Sequence, residues 1–473
     1  MEMKDSLTES GVIFISVFKW FFLATCIGAL VGASTYIFLE LLEWGYTLRG
    51  DTSYYFLLMP VAFFISALLI DLFAREARGY GTEKIIEAVH RTSGRIKARV
   101  VPVKLIATVI TIVSGGSAGK VGPAAQIGAG LTSMLASLVG FNDVDRKKLV
   151  ICGISAGFAS VFGAPVAGAI FGIEVLFVGG MMYDVLLPSF VAGIVGFQVA
   201  NYLGVSYTHH ALDFVPIFTE SFFIIVALSG VFFGLCSFVF IEFMNWTKAR
   251  ISSIKLWVPY KGFIGGCVLV VLAMIFSEDF LGVGDSVVER ALIGGEIFFG
   301  AFLIKMLFTS ITFGSGGTGG IISPIFFIGA TAGVFFANIL GLNPGTFAAI
   351  GIVSLLAGAA NTPITASIMA VELFGPEIGS YAAVACIISF LMTGHRSIFP
   401  SQVLALRKSA SFNVELGKEV ESIRPHFEKR SRSFIDIIIK FFRAMTTAET
   451  FDKDKPETKN DTQGKDEDDK KRS

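Results

Sequence analysis

Apolar residues run through this chain in long, nearly continuous stretches, from Val12 to Leu39, from Tyr54 to Leu69, and in a succession of others reaching about Thr393. Crossing the hydrocarbon core of a bilayer takes about 20 apolar residues of helix, and several of these stretches are that long. Strict alternation of apolar and polar positions, which the strands of a membrane barrel need, is missing, and lipid allows no third way of pairing every backbone N–H and C=O. The pattern therefore predicts an all-α polytopic membrane protein. Met1 to Gly11 is short, polar and partly acidic, and no small-residue cleavage pattern follows the apolar run after it, so it reads as a cytoplasmic N-terminus ahead of a first span from Val12, not as a removable signal.

Composition agrees with the pattern. With 53% hydrophobic and only 16% charged residues, and a mean hydropathy of +0.70, 473 residues cannot form an ordinary soluble surface. The formal net charge is zero, 38 cations against 38 anions, yet the cations are grouped. Arg75, Arg78, Arg91, Arg95, Lys97 and Arg99 fall in one loop region and Arg146, Lys147 and Lys148 in another, which the positive-inside tendency assigns to the cytoplasm. The basic stretch after Arg396 puts the C-terminus there too. From about Thr447 the chain becomes a Lys/Asp/Glu/Thr tail with almost nothing to bury, which predicts a disordered, solvated segment. The five cysteines, Cys26, Cys152, Cys236, Cys267 and Cys386, are scattered singly through apolar segments without metal-ligand or pairing spacing, and read as small core residues.

Sliding the sequence against itself exposes a duplication. At an offset of about 201, Lys104 falls on Lys305, Gly119 on Gly320, Pro123 on Pro324 and Gly128 on Gly329. At about 198, Ala164 to Glu174 falls on Thr362 to Glu372, pairing Pro165 with Pro363 and Glu174 with Glu372; at about 203, Gly79-Tyr80-Gly81 meets Gly282-Val283-Gly284. The order is the same in both halves. The predicted organisation is a cytoplasmic N-terminus (1–11), a first membrane repeat (12–205), a second (218–396), a final helix with a cytoplasmic C-terminal segment (397–446) and the charged tail (447–473).

Duplicated halves with glycine-broken apolar segments belong to transporter-like folds, in which half-helices begin near the bilayer midplane with their N-termini toward a substrate. A helix start leaves about four N–H groups unpaired and carries roughly half a positive charge, so it attracts an anion without a fixed counter-charge. Gly119-Lys120-Val121-Gly122-Pro123 and Gly319-Gly320-Ile321-Ile322-Ser323-Pro324 have the makings of two such starts, with glycines for close backbone approach and a proline suited to the first turn. Lys104 and Lys305 each stand 15 residues before the paired glycine within apolar runs, where an ionised group is costly and usually functional; they are expected to raise the potential for anions, the alternative being that they snorkel or bridge carbonyls. Gly314 to Gly319 matches a dinucleotide fingerprint and Gly115 to Lys120 hints at a phosphate loop, but the first has no βαβ setting and the second no Ser or Thr after its lysine. His209-His210, near Tyr207 and Asp213, reads as loop decoration. No nucleophile/base pair or metal-ligand set stands out, so no enzyme, metal, cofactor or nucleic-acid partner is expected.

Three separated segments, GYGTE (Gly79 to Glu83), GKVGPAAQIG (Gly119 to Gly128) and GSGGTGGIISP (Gly314 to Pro324), together resemble the signature motifs of the CLC family of chloride channels and chloride/proton antiporters, in family order, over residues about 12 to about 410. The resemblance implies an inverted-repeat fold of about eighteen helices of uneven length, many not fully spanning, and a homodimer with one anion pathway per subunit. It also implies an anion-binding set of Gly79, Tyr80, Gly81, Gly119, Lys120, Val121, Gly122, Pro123, Gly320, Ile321, Ile322 and Phe399.

The departures from the family pattern bear on mechanism. Tyr80 stands where a serine usually touches the anion, and Phe399 where a tyrosine does, so one hydroxyl is replaced by a bulkier phenol and the other is lost. Val121 occupies the place of the glutamate gate, and Val175 that of the inner glutamate that delivers protons in exchangers. Valine cannot ionise, so the resemblance implies passive conduction of chloride or a similar small anion. Coupled exchange through relocated acids, with Glu174, Glu372 or Glu377 as candidates, is one alternative, and a non-conducting receptor or scaffold is another. The C-terminal region is too short and polar for the paired cystathionine-synthase-type modules of many relatives, and the plasma membrane of a prokaryote is the expected location.

Overall fold

The computed structural model describes residues 2–50, 52, 54–207 and 219–427. Among them the chain forms sixteen α-helices, eight per half. The first eight are α1 (Glu2–Arg49), α2 (Met59–Phe73), α3 (Thr82–Arg91), α4 (Val100–Val113), α5 (Val121–Val139), α6 (Asp143–Phe162), α7 (Pro165–Glu174) and α8 (Leu186–Leu203). The second eight are α9 (Glu220–Ser253), α10 (Val258–Ile275), α11 (Asp285–Leu292), α12 (Ala301–Ser315), α13 (Ile322–Leu340), α14 (Pro344–Ala360), α15 (Pro363–Phe374) and α16 (Pro376–Met392). The architecture is thus all-α with helices of uneven length. At about 1.5 Å per residue, α4 and α7 are too short to cross a bilayer, whereas α5 and α13 reach about 28 Å.

Equivalent helices pack alike. α5 lies on α6 as α13 lies on α14, and α1 on α8 as α9 on α16, while α2 against α10 and α7 against α15 join the halves. Small residues permit the closest approaches, as expected where lipid removes the hydrophobic drive between helices: a Cβ on Gly32 of α1 would fall 2.4 Å from the Gly196 carbonyl oxygen of α8. Among the described residues, six helices are long and apolar enough to cross a membrane. They are sorted by depth, since the apolar window of α1 is 22% buried within the protein and that of α13 is 78% buried. The first is largely exposed on the surface of the subunit and the second largely enclosed by other helices.

Among the described residues the α-helices number sixteen, beside five short 3-10 helices; no α-helix lies within 397–427, and the rest of the 397–446 segment lies outside the described residues. Pro400 has no N–H to give a helix, and its neighbours spend theirs elsewhere: Ile398 on the Ala359 carbonyl (2.9 Å), Val403 on Leu176 (3.2 Å) and Ala405 on Val178 (3.0 Å). The segment is held as a short parallel ladder, β1 (Phe177–Val178) beside β2 (Val403–Leu404). The chain divides into two compact units, one over residues 1–408 and 415–424 and the other of residues 409–414 and the chain from 425. The second, as far as described, is an antiparallel pairing of Phe412–Asn413 with His426–Phe427. His209, His210, Asp213 and the charged tail lie outside the described residues.

Candidate anion site

The two glycine-rich segments meet face to face. Gly119 N–H donates to the Gly320 carbonyl at 2.7 Å, and Gly320 N–H donates back to Gly119 at 2.6 Å, an isolated antiparallel bridge between residues equivalent in the two repeats. Such a bridge is what a two-fold axis between inverted halves requires, and its neighbours obey the same axis. Ser117 N–H donates to the Thr312 hydroxyl (3.2 Å) while Thr318 N–H reaches the Thr111 hydroxyl (3.5 Å).

From this crossing α5 and α13 lead away. Their first helical bonds are given by Ala124 to the Lys120 carbonyl (3.2 Å) and by Ile325 to the Ile321 carbonyl (3.1 Å). Pro123 and Pro324 have no N–H, so Val121 and Gly122 in one helix, and Ile322 and Ser323 in the other, carry the N–H groups that precede the ladder. The start of α3 joins them. A Cβ on Gly122 would lie 2.1 Å from the Tyr80 carbonyl oxygen, and one on Gly81 2.4 Å from that of Gly122, so both glycines are fixed by close backbone approach. Three N-termini thus converge, which concentrates positive potential.

The two lysines belong to the scaffold. Fully buried, Lys104 donates to the carbonyls of Ala77 (3.1 Å) and Gly79 (2.7 Å) and to the Thr318 hydroxyl (2.7 Å), which uses all three of its donors. Lys305 makes the equivalent bonds to Phe280 (3.0 Å) and Gly282 (3.1 Å). Both lysines thus bridge carbonyls: an unhydrated ammonium in this core must satisfy its donors, and the loops before α3 and α11 supply the acceptors.

The acids at the ends of α7 and α15 are likewise engaged. Glu174 accepts from Ile364 N–H (3.0 Å), Thr365 N–H (2.8 Å) and the Thr365 hydroxyl (2.6 Å) at the start of α15. Glu372 accepts from Val166 N–H (2.9 Å) and Ala167 N–H (2.8 Å) at the start of α7. Each helix ends in the carboxylate that caps the other.

Two cavities approach this centre, and no residue lines both. One, of about 450 Å³, opens on the basic face and reaches Gly79, Tyr80, Phe313 and Gly314. Tyr80 stands edge-on to Phe313 with ring centroids 4.8 Å apart, narrowing it. The other, of about 230 Å³, contains Lys120, Tyr207, Asp285 and Ser323. It lies on the far side, because α6 starts on the basic face, where Asp143 binds Arg95, and its last residue, Phe162, lines this cavity some 30 Å along the helix. Lys120 is paired there with Asp285 at 3.1 Å. Val121 and Val175 are fully buried, as is Phe399, which lines neither cavity; the Val175 carbonyl is held by Gln402 (2.8 Å).

Residues 62–394 match the family model described as voltage gated chloride channel. The chain belongs to this family. A chloride/fluoride channel protein of Pseudomonas syringae pv. tomato is 37% identical over 393 residues, which are 81% of this chain and 86% of the relative. An H+/Cl− exchange transporter of Salmonella schwarzengrund is 28% identical, over 74% of this chain and 80% of its own. Among solved structures, a CLC-type fluoride/proton antiporter superposes with a TM-score of 0.78 at 25% identity, covering 83% of this chain and 99% of that one. The chain is therefore an integral, multi-pass membrane protein of the voltage-gated chloride channel family.

Within this family member, sequence reading missed Glu83, Phe313, Ser401, Asp285 and Ser323. Asp285 follows the Gly282-Val283-Gly284 repeat and Glu83 lies inside the first motif, so both carried a signal. Phe313 and Ser401 had none, because only the folded chain brings them to residues hundreds of positions away.

Proposed function

We propose that this protein conducts chloride or a similar small anion, fluoride included, passively across the membrane. The observation that carries the reading is valine at both Val121 and Val175, beside a convergence of helix starts that offers backbone donors to an anion. Neither side chain can ionise, so neither competes with the anion nor moves a proton, and two of the nearby acids, Glu174 and Glu372, cap helices. The N–H groups of Val121, Gly122, Ile322 and Ser323 replace hydration water with preorganised dipoles. Basic residues at the wider cavity mark its mouth as cytoplasmic, and they gather anions there. The working unit in this proposal is a homodimer with one pathway per subunit, in the plasma membrane of a prokaryote.

Coupled anion/proton exchange is the second reading, supported by the exchange transporter and the antiporter among the similar proteins. Chloride efflux from vesicles holding the purified protein, recorded with a potassium shunt together with external pH, separates the two. Rapid shunt-dependent efflux with no proton movement is the expected result. Proton uptake in fixed ratio to chloride, or no efflux at all, would overturn it.

A further inference from the structure

Glu83 lies in α3 three residues after Tyr80, on the wall of the basic-face cavity. One carboxyl oxygen, Oε1, accepts from the Ser401 N–H (3.2 Å) and the Ser401 hydroxyl (2.5 Å). The other, Oε2, is buried and has no hydrogen-bond partner. A carboxylate in that setting would keep one unpaired charged oxygen out of water, which is costly. A neutral carboxyl avoids that buried charge, and its other oxygen still serves Ser401. Burial pushes this carboxyl up to about 7, against the opposing pull of the Ser401 bonds and of Lys248 and Lys84.

We propose that Glu83 is a proton-sensitive gate of the cytoplasmic vestibule, which is open while the carboxyl is neutral and closes when it loses its proton. The inference rests on the anion-conduction reading and adds to it a titratable group on the narrow stretch where Tyr80 and Phe313 restrict the path. Deprotonation puts a negative charge on that wall, which repels the anion. Other charged groups face the same cavity. Lys84, Glu87 and Arg91 come from α3, Arg75 and Arg78 from the loop before it, Lys248 from α9, Lys261 from α10 and Glu421 from the C-terminal segment. Glu87 is already bound by Lys84 (2.7 Å) and Arg91 (3.2 Å). The proton here regulates the path without being carried through it, so the proposal keeps conduction passive.

The test is chloride efflux, and in parallel fluoride efflux, from phosphatidylethanolamine/phosphatidylglycerol vesicles, with both sides held at the same pH and stepped from about 5.5 to about 8.5. With a midpoint near 7, about one molecule in ten keeps the proton a unit above it, so flux through the unaltered protein falls roughly tenfold per unit on the alkaline side. Glu83→Gln, neutral at every pH, should hold its acid-side flux throughout. Ser401→Ala removes a bond that favours the ionised form, and should move the midpoint to higher pH. Absence of flux in the unaltered protein at every pH would defeat the conduction reading itself. Flux with a pH profile that Glu83→Gln leaves unchanged would overturn the role of Glu83 alone. Should Glu83→Gln fail to fold, the direction of the Ser401→Ala shift decides, and an unmoved midpoint counts against the proposal.

Discussion

Replacing Glu174 with alanine strips the start of α15 of its cap. The carboxylate, only 5% exposed, takes up two backbone N–H groups and a hydroxyl at 2.6 to 3.0 Å. Each buried polar group left without a partner costs about 1–3 kcal/mol, and loss of a negative charge at a helix N-terminus adds about 0.3–1 kcal/mol. Allowing for water entering the space, the substitution should cost about 3–6 kcal/mol. Glu372→Ala leaves two N–H groups unpaired at α7 and should cost about 2–4 kcal/mol by the same reasoning. Since α7 and α15 cap each other, the double variant should depart from the sum of the two. Denaturation midpoints in detergent micelles provide the measurement, with exposed Glu296→Ala as the reference. If Glu174→Ala unfolded no earlier than that reference, the capping argument would fail. If Glu174→Gln left stability intact but changed how conduction follows pH, the residue would be a proton carrier and the passive reading would be wrong as well.

Three further outcomes follow from the same geometry. Val121→Glu introduces a titratable group at the start of α5, so conduction should fall at high pH, where the carboxylate is charged, relative to low pH; a profile identical to that of the unaltered protein would remove Val121 from the pathway. Lys104→Met abandons the carbonyls of Ala77 and Gly79 and the Thr318 hydroxyl, and should lower stability by about 2–4 kcal/mol while the folded fraction keeps its dependence on chloride concentration. A weaker chloride dependence at full stability would restore the lysine as an anion attractor. Gly122→Ala places a methyl group 2.1 Å from the Tyr80 carbonyl oxygen, so the helix starts must separate by about 1 Å and conduction should drop at least tenfold; Gly11→Ala, with nothing within 4 Å, should be silent, and equal effects of the two would refute the close-packing account.

Much of this was legible in the residue pattern because lipid leaves few choices. Long apolar runs had to be helices, and the offset of about 201 had to place Gly119 opposite Gly320, where a mutual pair of hydrogen bonds now joins them. The positions of the glycines, prolines and valines at the crossing could be read because their roles are set by backbone geometry. Side-chain roles were harder. The carbonyls that Lys104 binds lie 25 and 27 residues back, in a loop whose path the sequence does not show. The path of residues 397–405 was hidden for a related reason: their N–H partners, Ala359, Leu176 and Val178, lie far upstream, and a local pattern of apolar residues contains no trace of them.

The crossing of the halves also bears on how the protein is made. Nearly everything that completes the first repeat comes from the second: Gly119 waits for Gly320, Lys104 for Thr318, Ser117 for Thr312, and the start of α7 for Glu372. While the ribosome is still translating the middle of the chain, the early helices are already threaded into the bilayer with these groups unmatched. A chain arrested between the repeats would hold a buried lysine and an uncapped helix in lipid, the kind of defect by which membrane proteases and insertases tell unfinished chains from finished ones. The crossing of helix starts is therefore complete only when both repeats are present.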